Sequence, residues 1–394
     1  MKVLEIINPD TKKIFYCLDN KARFVGGCVR NKLLDINITD IDIACLYTPD
    51  ITTDKLSKKN IRVIPTGIKH GTVTAVLNNT TYEITTLRKD MACDGRHAEV
   101  EYTDSWEEDA ARRDFTINAM FMDIEGNIYD YFGGREDLKN GVVKFVGNAE
   151  KRVSEDILRI LRFFRFYAYY GKGRMDANAL EACEKFADKI PELSGERIQS
   201  EMFKLMAAKE AVEVLKIMVD KKITDNIFVS DIDLKAFGEI SKLSDNVLLK
   251  LAGLISRYNK QSVTSLSEKW KLSNKNKNYL STVLFPSVKI DFNSDIGLQK
   301  RAIRKLGGDI YKDIVLLAWS RKDILEKDME KLIAIEQKWQ VPEFPLRGND
   351  IKKLGIREGR QIGKMLFIAE EFWEENNYTP SKKEILDYIL ECMK

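Results

Sequence analysis

An α/β N-terminal segment followed by a long all-α region is the architecture the sequence predicts, on three observations. Before about residue 150, β-branched runs alternate with glycine turns and short helical stretches. Beyond it, glycine and β-branched runs thin out and apolar residues recur at helical spacing. No repeat of fixed period runs through either part. At 394 residues the chain has room for about two to four domains with buried cores.

The elements follow in chain order. IFYCL (14–18) reads as a short strand or a helix end. RFVGGCVRNKLL (23–34) reads as strand, glycine turn and helix. DIDIACL (40–46) alternates with the period of a half-buried strand. TVTAVLNNTTYEITTL (72–87) is two β-rich runs joined by Asn78-Asn79, a hairpin signal. DFTINAMFMD (114–123) opens on a capping Asp and runs apolar, as a helix would. GNIYDYF (126–132) reads as strand and turn. Ile198, Met202, Leu205 and Met206 then mark one face of a helix. Similar stretches recur at 209–222, 246–257, 309–319 and 323–339. VPEFPLRGND (341–350), with two prolines and a glycine, sets off the last helical piece.

Composition excludes several classes. Hydrophobic residues at 44% are too many for a disordered chain. No run of about 18 uncharged apolar residues exists, so no spanning helix and no membrane partner are expected. The N-terminus lacks the apolar core of a secretion signal. Six scattered cysteines without a C-x-x-C pair argue against zinc ribbons and disulfide scaffolds, and fit a reducing cytoplasm. Two histidines, His70 and His97, are too few for a histidine-rich metal centre. The net charge of +3 is uninformative, but Lys151 to Met175 holds seven basic residues against two acidic ones, interleaved with aromatics. That window is either a nucleic-acid face or a solvated helix with an aromatic core side. EKWKLSNKNKNYL (268–280) also mixes lysines with Trp270 and Tyr279, but Ser273 has the place of a helix N-cap and the structural reading is preferred.

The strongest chemical signal is GGCVRNKLLDINITDIDI (26–43). Gly26-Gly27 at a strand-to-helix turn lets backbone N–H groups approach a phosphate. Asp40 and Asp42 lie two apart on a strand, so both carboxylates face one way. Like charges that close repel unless a cation lies between them. Hard oxygen ligands of this kind suit Mg²⁺, which takes one or two carboxylates plus substrate phosphates. Glu83, at an alternating strand position, is a candidate third ligand of a two-metal site.

These residues resemble the active-site strand of the DNA polymerase β-like nucleotidyltransferases. Within that superfamily the chain is similar to the bacterial class II tRNA nucleotidyltransferases, the CCA-adding enzymes. The similarity continues in order through RRDFTINAM (112–120), DYFGGREDL (130–138), EDILRILRFFRF (155–166), GERIQSEMFKLM (195–206) and GNDIKKLGIREGRQIGKML (348–366). Asn31 stands where the family has Asp, and Arg357-Glu358-Gly359-Arg360 replaces a Pro-Gly-Pro-like turn.

The resemblance implies a catalytic head with a small mixed sheet over 1–140. A helical neck follows over 141–258, a helical body over 259–340 and a tRNA-binding tail over 341–394. It implies addition of CCA to the 3′ end of tRNA from CTP and ATP, with Asp40 and Asp42 catalytic and Mg²⁺ as cofactor. A-only addition is the alternative; a poly(A) polymerase or an inert RNA-binding relative is further off. Gly27, Arg30, Arg112, Asp114, Asn118, Asp156, Arg159 and Arg162 are the implied nucleotide-binding set. Asp114 would meet the ribose, Arg112 or Arg113 the phosphates, and Arg162 the triphosphate. Gly26, Arg113, Glu155 and Arg165 would support them, with Arg165 anchoring either the helix or the tRNA.

Asp156 and Arg159, three apart on a helix, would share a face. A carboxylate only accepts hydrogen bonds and a guanidinium only donates them. Together they match the amino donor and ring-nitrogen acceptor of C and A and mismatch G and U. The polar segment 87–102, with Arg88, Asp90, Asp94 and Arg96, resembles the loop needed for the switch from C to A. Lys352, Lys353, Arg357, Arg360 and Lys364 are the implied tail contacts to the acceptor–TΨC limb. No protein partner is implied.

Overall fold

A mixed seven-stranded sheet organises the N-terminal part of the computed structural model, which describes residues 5–90, 100–288, 290–356 and 358–393. The chain folds as two compact units, Met1–Val229 and Ser230–Lys394. No helix among the described residues is long and apolar enough to cross a membrane.

In the first unit, helix α1 (Pro9–Cys17) starts where the Asn8 side chain accepts from the N–H groups of Asp10 and Thr11. The ambiguous 14–18 segment is therefore a helix end. Strand β1 (Ala22–Val25), helix α2 (Gly27–Leu33), strand β2 (Ile41–Cys45), helix α3 (Pro49–Ser57) and strands β3 (Arg62–Gly67), β4 (Thr72–Leu77) and β5 (Thr80–Thr86) follow. Asn78 and Asn79 both take positive φ, 48° and 60°, as a two-residue hairpin turn requires. Strands β6 (Arg88–Asp90) and β7 (Val100–Tyr102) pair as a separate ribbon ahead of helix α4 (Trp106–Ala111). Strands β8 (Phe121–Met122) and β9 (Ile128–Tyr129) complete the main sheet, in the order β3-β4-β5-β2-β1-β8-β9. The β2–β5 pair is parallel and places Asp42 beside Glu83.

The helix expected over 114–123 does not form. Thr116–Asn118 make one 3₁₀ turn and Phe121 enters β8. Tertiary pairing wins here: Phe121 and Met122 find partners on both β1 and β9, which an isolated helix turn cannot match. Asp114 therefore turns its carboxylate onto its own loop, accepting from the Phe115 N–H at 2.9 Å.

Helix α5 (Gly134–Asn140) follows a left-handed Gly133 and packs so closely that a Cβ on Gly134 would lie 2.1 Å from the Thr116 carbonyl oxygen. Gly134→Ala is expected to cost about 2–3 kcal/mol and to lower the melting temperature by roughly 5 °C or more. An unchanged melting curve would contradict this packing.

Helices α6 (Ala149–Glu155), α7 (Leu158–Tyr170), α8 (Ala177–Lys185), α9 (Gly195–Met206) and α10 (Ala211–Asp220) close the first unit. The single helix expected through 155–166 is broken. Asp156 is extended, with φ −151° and ψ 105°, and its carboxylate accepts from the Leu158 N–H at 3.1 Å, capping α7. In the basic-aromatic window Phe163, Phe164 and Phe166 are buried. Phe115 stacks on Phe145 at 4.9 Å and contacts Phe166 at 5.1 Å, and Phe145 stacks on Phe163 at 5.9 Å. These rings are core, joining α7 to the segments after α4 and α5. Ile198, Met202, Leu205 and Met206 are likewise buried along α9.

The second unit holds helices α11 (Leu234–Leu243), α12 (Val247–Leu254), α13 (Lys260–Lys269), α14 (Asn274–Leu284), α15 (Ile296–Leu306), α16 (Gly308–Ser320), α17 (Glu326–Lys338), α18 (Gly348–Lys353), α19 (Gly359–Glu375) and α20 (Lys382–Cys392). Ser273 caps α14, accepting from the Asn276 N–H at 3.3 Å, and Trp270 is fully buried, so these two residues of 268–280 have structural roles. The proline-containing stretch ends where α18 begins. The last three helices share a core of Ile351, Ile362, Trp373, Ile385 and Ile389.

Candidate active site

One cleft of about 590 Å³ in the first unit gathers Gly26, Gly27, Arg30, Asp42, Arg88, Arg112, Arg113, Asp114, Asn118, Asp156, Arg159, Arg162 and Phe166. They come from segments spread over some 140 residues of chain. Asp40, Glu83, Glu155 and Arg165 do not line it. Gly26 makes the turn from β1 into α2 at φ +71°, a conformation that L side chains rarely adopt.

Asp42 sits half-buried on β2, with Ile41 and Ile43 buried on the other face. Asp40, expected on the same strand, is exposed just before β2 begins and accepts from the Thr39 hydroxyl at 2.9 Å. Burial pushes the Asp42 carboxyl up to about 6; Glu83 and Asp40 add to the rise and Arg113 opposes it. Among the described residues no three His, Cys, Asp or Glu side chains converge as a ready metal cluster. The three-carboxylate set expected with Glu83 is therefore not assembled, and Glu83 stands as a further negative neighbour of Asp42. Asp40 and Asp42 nevertheless fit a hard divalent cation. They offer neighbouring oxygen donors, and the charge on Asp42 is destabilised in a way that a cation would offset.

The opposite charge dominates the rest of the wall, where six guanidinium groups outnumber two carboxylates. A buried carboxylate organises two of them. Asp109 on α4 pairs with Arg112 at 2.7 Å and Arg113 at 2.8 Å and accepts from the Arg88 N–H at 3.2 Å. Burial raises its pKa, but Arg113 and Arg112 outweigh that and hold it below the usual carboxylate range.

Asp114 and Arg162, expected to reach ribose and triphosphate separately, bind each other. Both Nε, at 2.8 Å, and Nη2 of Arg162 donate to Asp114 Oδ2. Asn118 donates to the other oxygen of Asp114 at 3.1 Å. Burial works against the Asp114 charge, yet Arg162 and these donors keep its pKa low.

Arg30 is also committed. It donates to Asn118 Oδ1 and, at 2.9 Å, to Asn31 Oδ1, and its guanidinium lies 4.2 Å from the Tyr170 ring centre. The Asn31 amide oxygen thus supplies the acceptor that an Asp would have supplied.

Asp156 and Arg159 both reach the cleft, but not as one helix face. Asp156 receives Arg197 of α9 through both oxygens, at 2.9 and 3.0 Å. Arg159 pairs with Glu155 at 2.7 Å and donates to the Arg152 carbonyl at 2.6 Å. Arg165 turns away, to a buried Glu201 at 2.6 Å. Helix α9 therefore holds the break through Arg197 and α7 beyond it through Glu201.

In the loop set, Arg88 lines the cleft and donates to the His70 carbonyl. Asp94, Arg96 and the Asp90 side chain lie outside the described residues, as does His97. In the tail, Lys352, Lys353, Arg360 and Lys364 are exposed, and Arg357 lies outside the described residues.

Sequence reasoning missed Asp109, Arg152 and Arg197. Asp109 had a signal: it stands three and four residues before Arg112 and Arg113, the spacing of helix neighbours. Arg197 had none, because its partner is 41 residues away.

Two family models match the chain: Poly A polymerase head domain over residues 22–144, and Probable RNA and SrmB- binding site of polymerase A over 174–233. The chain is 36% identical over 392 residues to CCA tRNA nucleotidyltransferase 1, mitochondrial, of Homo sapiens, covering 96% of this chain and 88% of the relative. It is 30% identical over 389 residues to the CCA-adding enzyme of Ligilactobacillus salivarius, covering 94% and 93%. The solved structure of the Bacillus stearothermophilus CCA-adding enzyme in complex with CTP matches with a TM-score of 0.80 at 25% identity, over 98% of each chain.

Proposed function

Because the chain belongs to the CCA-adding tRNA nucleotidyltransferases, we propose that the cleft between β2 and α7 is where it joins CTP and ATP to tRNA. The enzyme adds C, C and A to the 3′ end of tRNA without a nucleic-acid template and releases pyrophosphate. The observation that carries the site is the convergence of the glycine turn, Asp42, the arginine wall and the Asp156–Arg159 pair on one cavity.

In this reading Asp40 and Asp42 hold Mg²⁺. When bound, such an ion makes the tRNA 3′-hydroxyl more acidic and neutralises charge at the α-phosphate. The protein residues do the rest by position. Arg112 and Arg113, locked on Asp109, present fixed positive charge to the triphosphate. The Gly26-Gly27 turn leaves backbone room for phosphate oxygens. Asp114, held by Arg162 and Asn118, is the acceptor for a ribose hydroxyl, which favours ribonucleotides. No side chain needs to act as general base.

Asp156 and Arg159 read the base. C and A offer a donor to Asp156 and an acceptor to Arg159; G and U oppose acceptor to acceptor and donor to donor. Glu155 and Arg197 each hold one of the two readers. The tail, with Lys352, Lys353, Arg360 and Lys364 exposed, is assigned to tRNA phosphates. Cys17, Cys28, Cys45, Cys183 and Cys392 are free thiols, which supports a reducing compartment, the cytoplasm in this proposal.

The test uses tRNA transcripts ending at the discriminator base, at C and at CC, with CTP, ATP and Mg²⁺, sized at single-nucleotide resolution. Extension by three, two and one nucleotides is expected. Extension of the CC transcript alone would make the chain an A-adding enzyme, a long ladder a poly(A) polymerase, and no extension would overturn the enzyme reading.

A further inference from the structure

The base-reading arm and the phosphate-binding wall meet at one buried side chain, Arg152 of α6, which is 7% exposed. Its Nη2 donates to the backbone carbonyl oxygens of Arg112 and, at 2.6 Å, of Arg113. Its Nη1 donates to Glu155 Oε2. That same oxygen receives Arg159 at 2.7 Å, and the Arg152 carbonyl receives Arg159 at 2.6 Å. Arg152 lines no part of the cleft. Lying behind the cleft wall, it joins the backbone just before Asp114 to the guanidinium of Arg159.

We infer that Arg152 is a positioning residue that sets where Arg159 stands relative to the ribose- and phosphate-binding wall, and thereby sets base selectivity. The inference rests on the base-reading assignment of Asp156 and Arg159. Its physical basis is the shared carboxylate. Glu155 sits between two guanidinium groups, so its place is fixed by both. Arg152 in turn is fixed by its planar fork, whose Nη2 reaches two carbonyl acceptors while Nη1 holds Glu155. Without Arg152, Glu155 follows Arg159 alone. The reader is then free to shift by an ångström or so, and a misplacement of that size is worth about 100-fold in a positioned reaction.

The experiment compares Arg152→Gln, Arg152→Lys, Arg159→Gln and the double variant Arg152→Gln/Arg159→Gln with the wild type. The ratio of kcat/KM for CTP to that for UTP is measured on a transcript ending at the discriminator base, and folding is checked by thermal melting. Arg152→Gln is expected to lower the ratio about 100-fold, mostly by lowering kcat/KM for CTP, with Arg152→Lys between it and wild type. The double variant should be no less selective than Arg159→Gln alone, because both act through one guanidinium.

A folded Arg152→Gln with a ratio within about twofold of wild type overturns the coupling. If Arg152→Gln fails to fold, the Lys variant, which keeps the charge but not the fork, is judged by the same criterion. Losses that multiply in the double variant also overturn it. An unchanged ratio in Arg159→Gln overturns the base-reading assignment, and the coupling with it, which separates the two failures.

Discussion

Asp42→Asn is expected to abolish nucleotide addition while making the divalent-free protein more stable. The activity loss should be on the order of 10³-fold or more, because the variant loses a charged ligand where negative charge develops. The stability gain follows from the raised carboxyl. Asp42 titrates at about 6 in the folded protein against an ordinary value of 3.8. Between those values the folded chain holds a proton that the unfolded chain has lost. Stability therefore falls as pH rises from 3.8 through 6, by at most about 3 kcal/mol above it. Asn carries no such cost. Thermal melting in chelator should show Asp42→Asn above wild type by roughly 5 °C at about pH 7.5, with the gap narrowing as pH falls through about 6 and gone below about 4. A variant less stable than wild type at neutral pH would contradict this electrostatic account.

Asp156→Asn should produce the largest change in specificity. An amide presents both a donor and an acceptor, so it satisfies the carbonyl edge of U or G that a carboxylate repels. Selectivity built from unpaired polar groups is worth on the order of 10⁴-fold. Loss of one reader should return about 10²- to 10³-fold of it, seen as UTP and GTP incorporation by rapid quench. The structural cost is small, since the Asp156–Arg197 pair is substantially exposed at both partners and such pairs contribute about 1 kcal/mol or less. Retention of wild-type selectivity would remove Asp156 from base reading.

Much of this site was legible in the sequence where chemistry is carried by local spacing. The glycine turn, the strand that carries Asp42, the Asn-Asn hairpin and the apolar face of α9 all formed as read, whereas Asp40 precedes that strand and does not line the cleft. What was not legible depended on contacts between distant segments. The 114–123 stretch has the apolar pattern of a helix, and only the open edges of β1 and β9 make Phe121 and Met122 a strand. The break at Asp156 has the same character. A helix through Glu155, Asp156 and Arg159 is locally reasonable, and the pull of Arg197 from α9 is invisible to a local window. The arginines that line the cleft were read as a set, with Glu155 expected to support them, but their long-range partners were not legible. Asp114 with Arg162, Asn118 with Arg30, and Arg152 with two carbonyl groups are pairings over 39 to 88 residues.

The pairings also explain how a crowded basic cleft stays folded without substrate. Arg112, Arg113, Arg162 and Arg159 each rest on a carboxylate of the same unit. Their charges are aimed but not unpaired, so an incoming triphosphate meets a wall that needs little reorganisation.

The most direct test of template-independent base selection is to sequence the products made from a transcript ending at the discriminator base, with all four ribonucleoside triphosphates at equal concentration and no other nucleic acid present. The account expects C, then C, then A, and then a stop. Mixed bases at any of the three positions, or a continuing run of A, would contradict it.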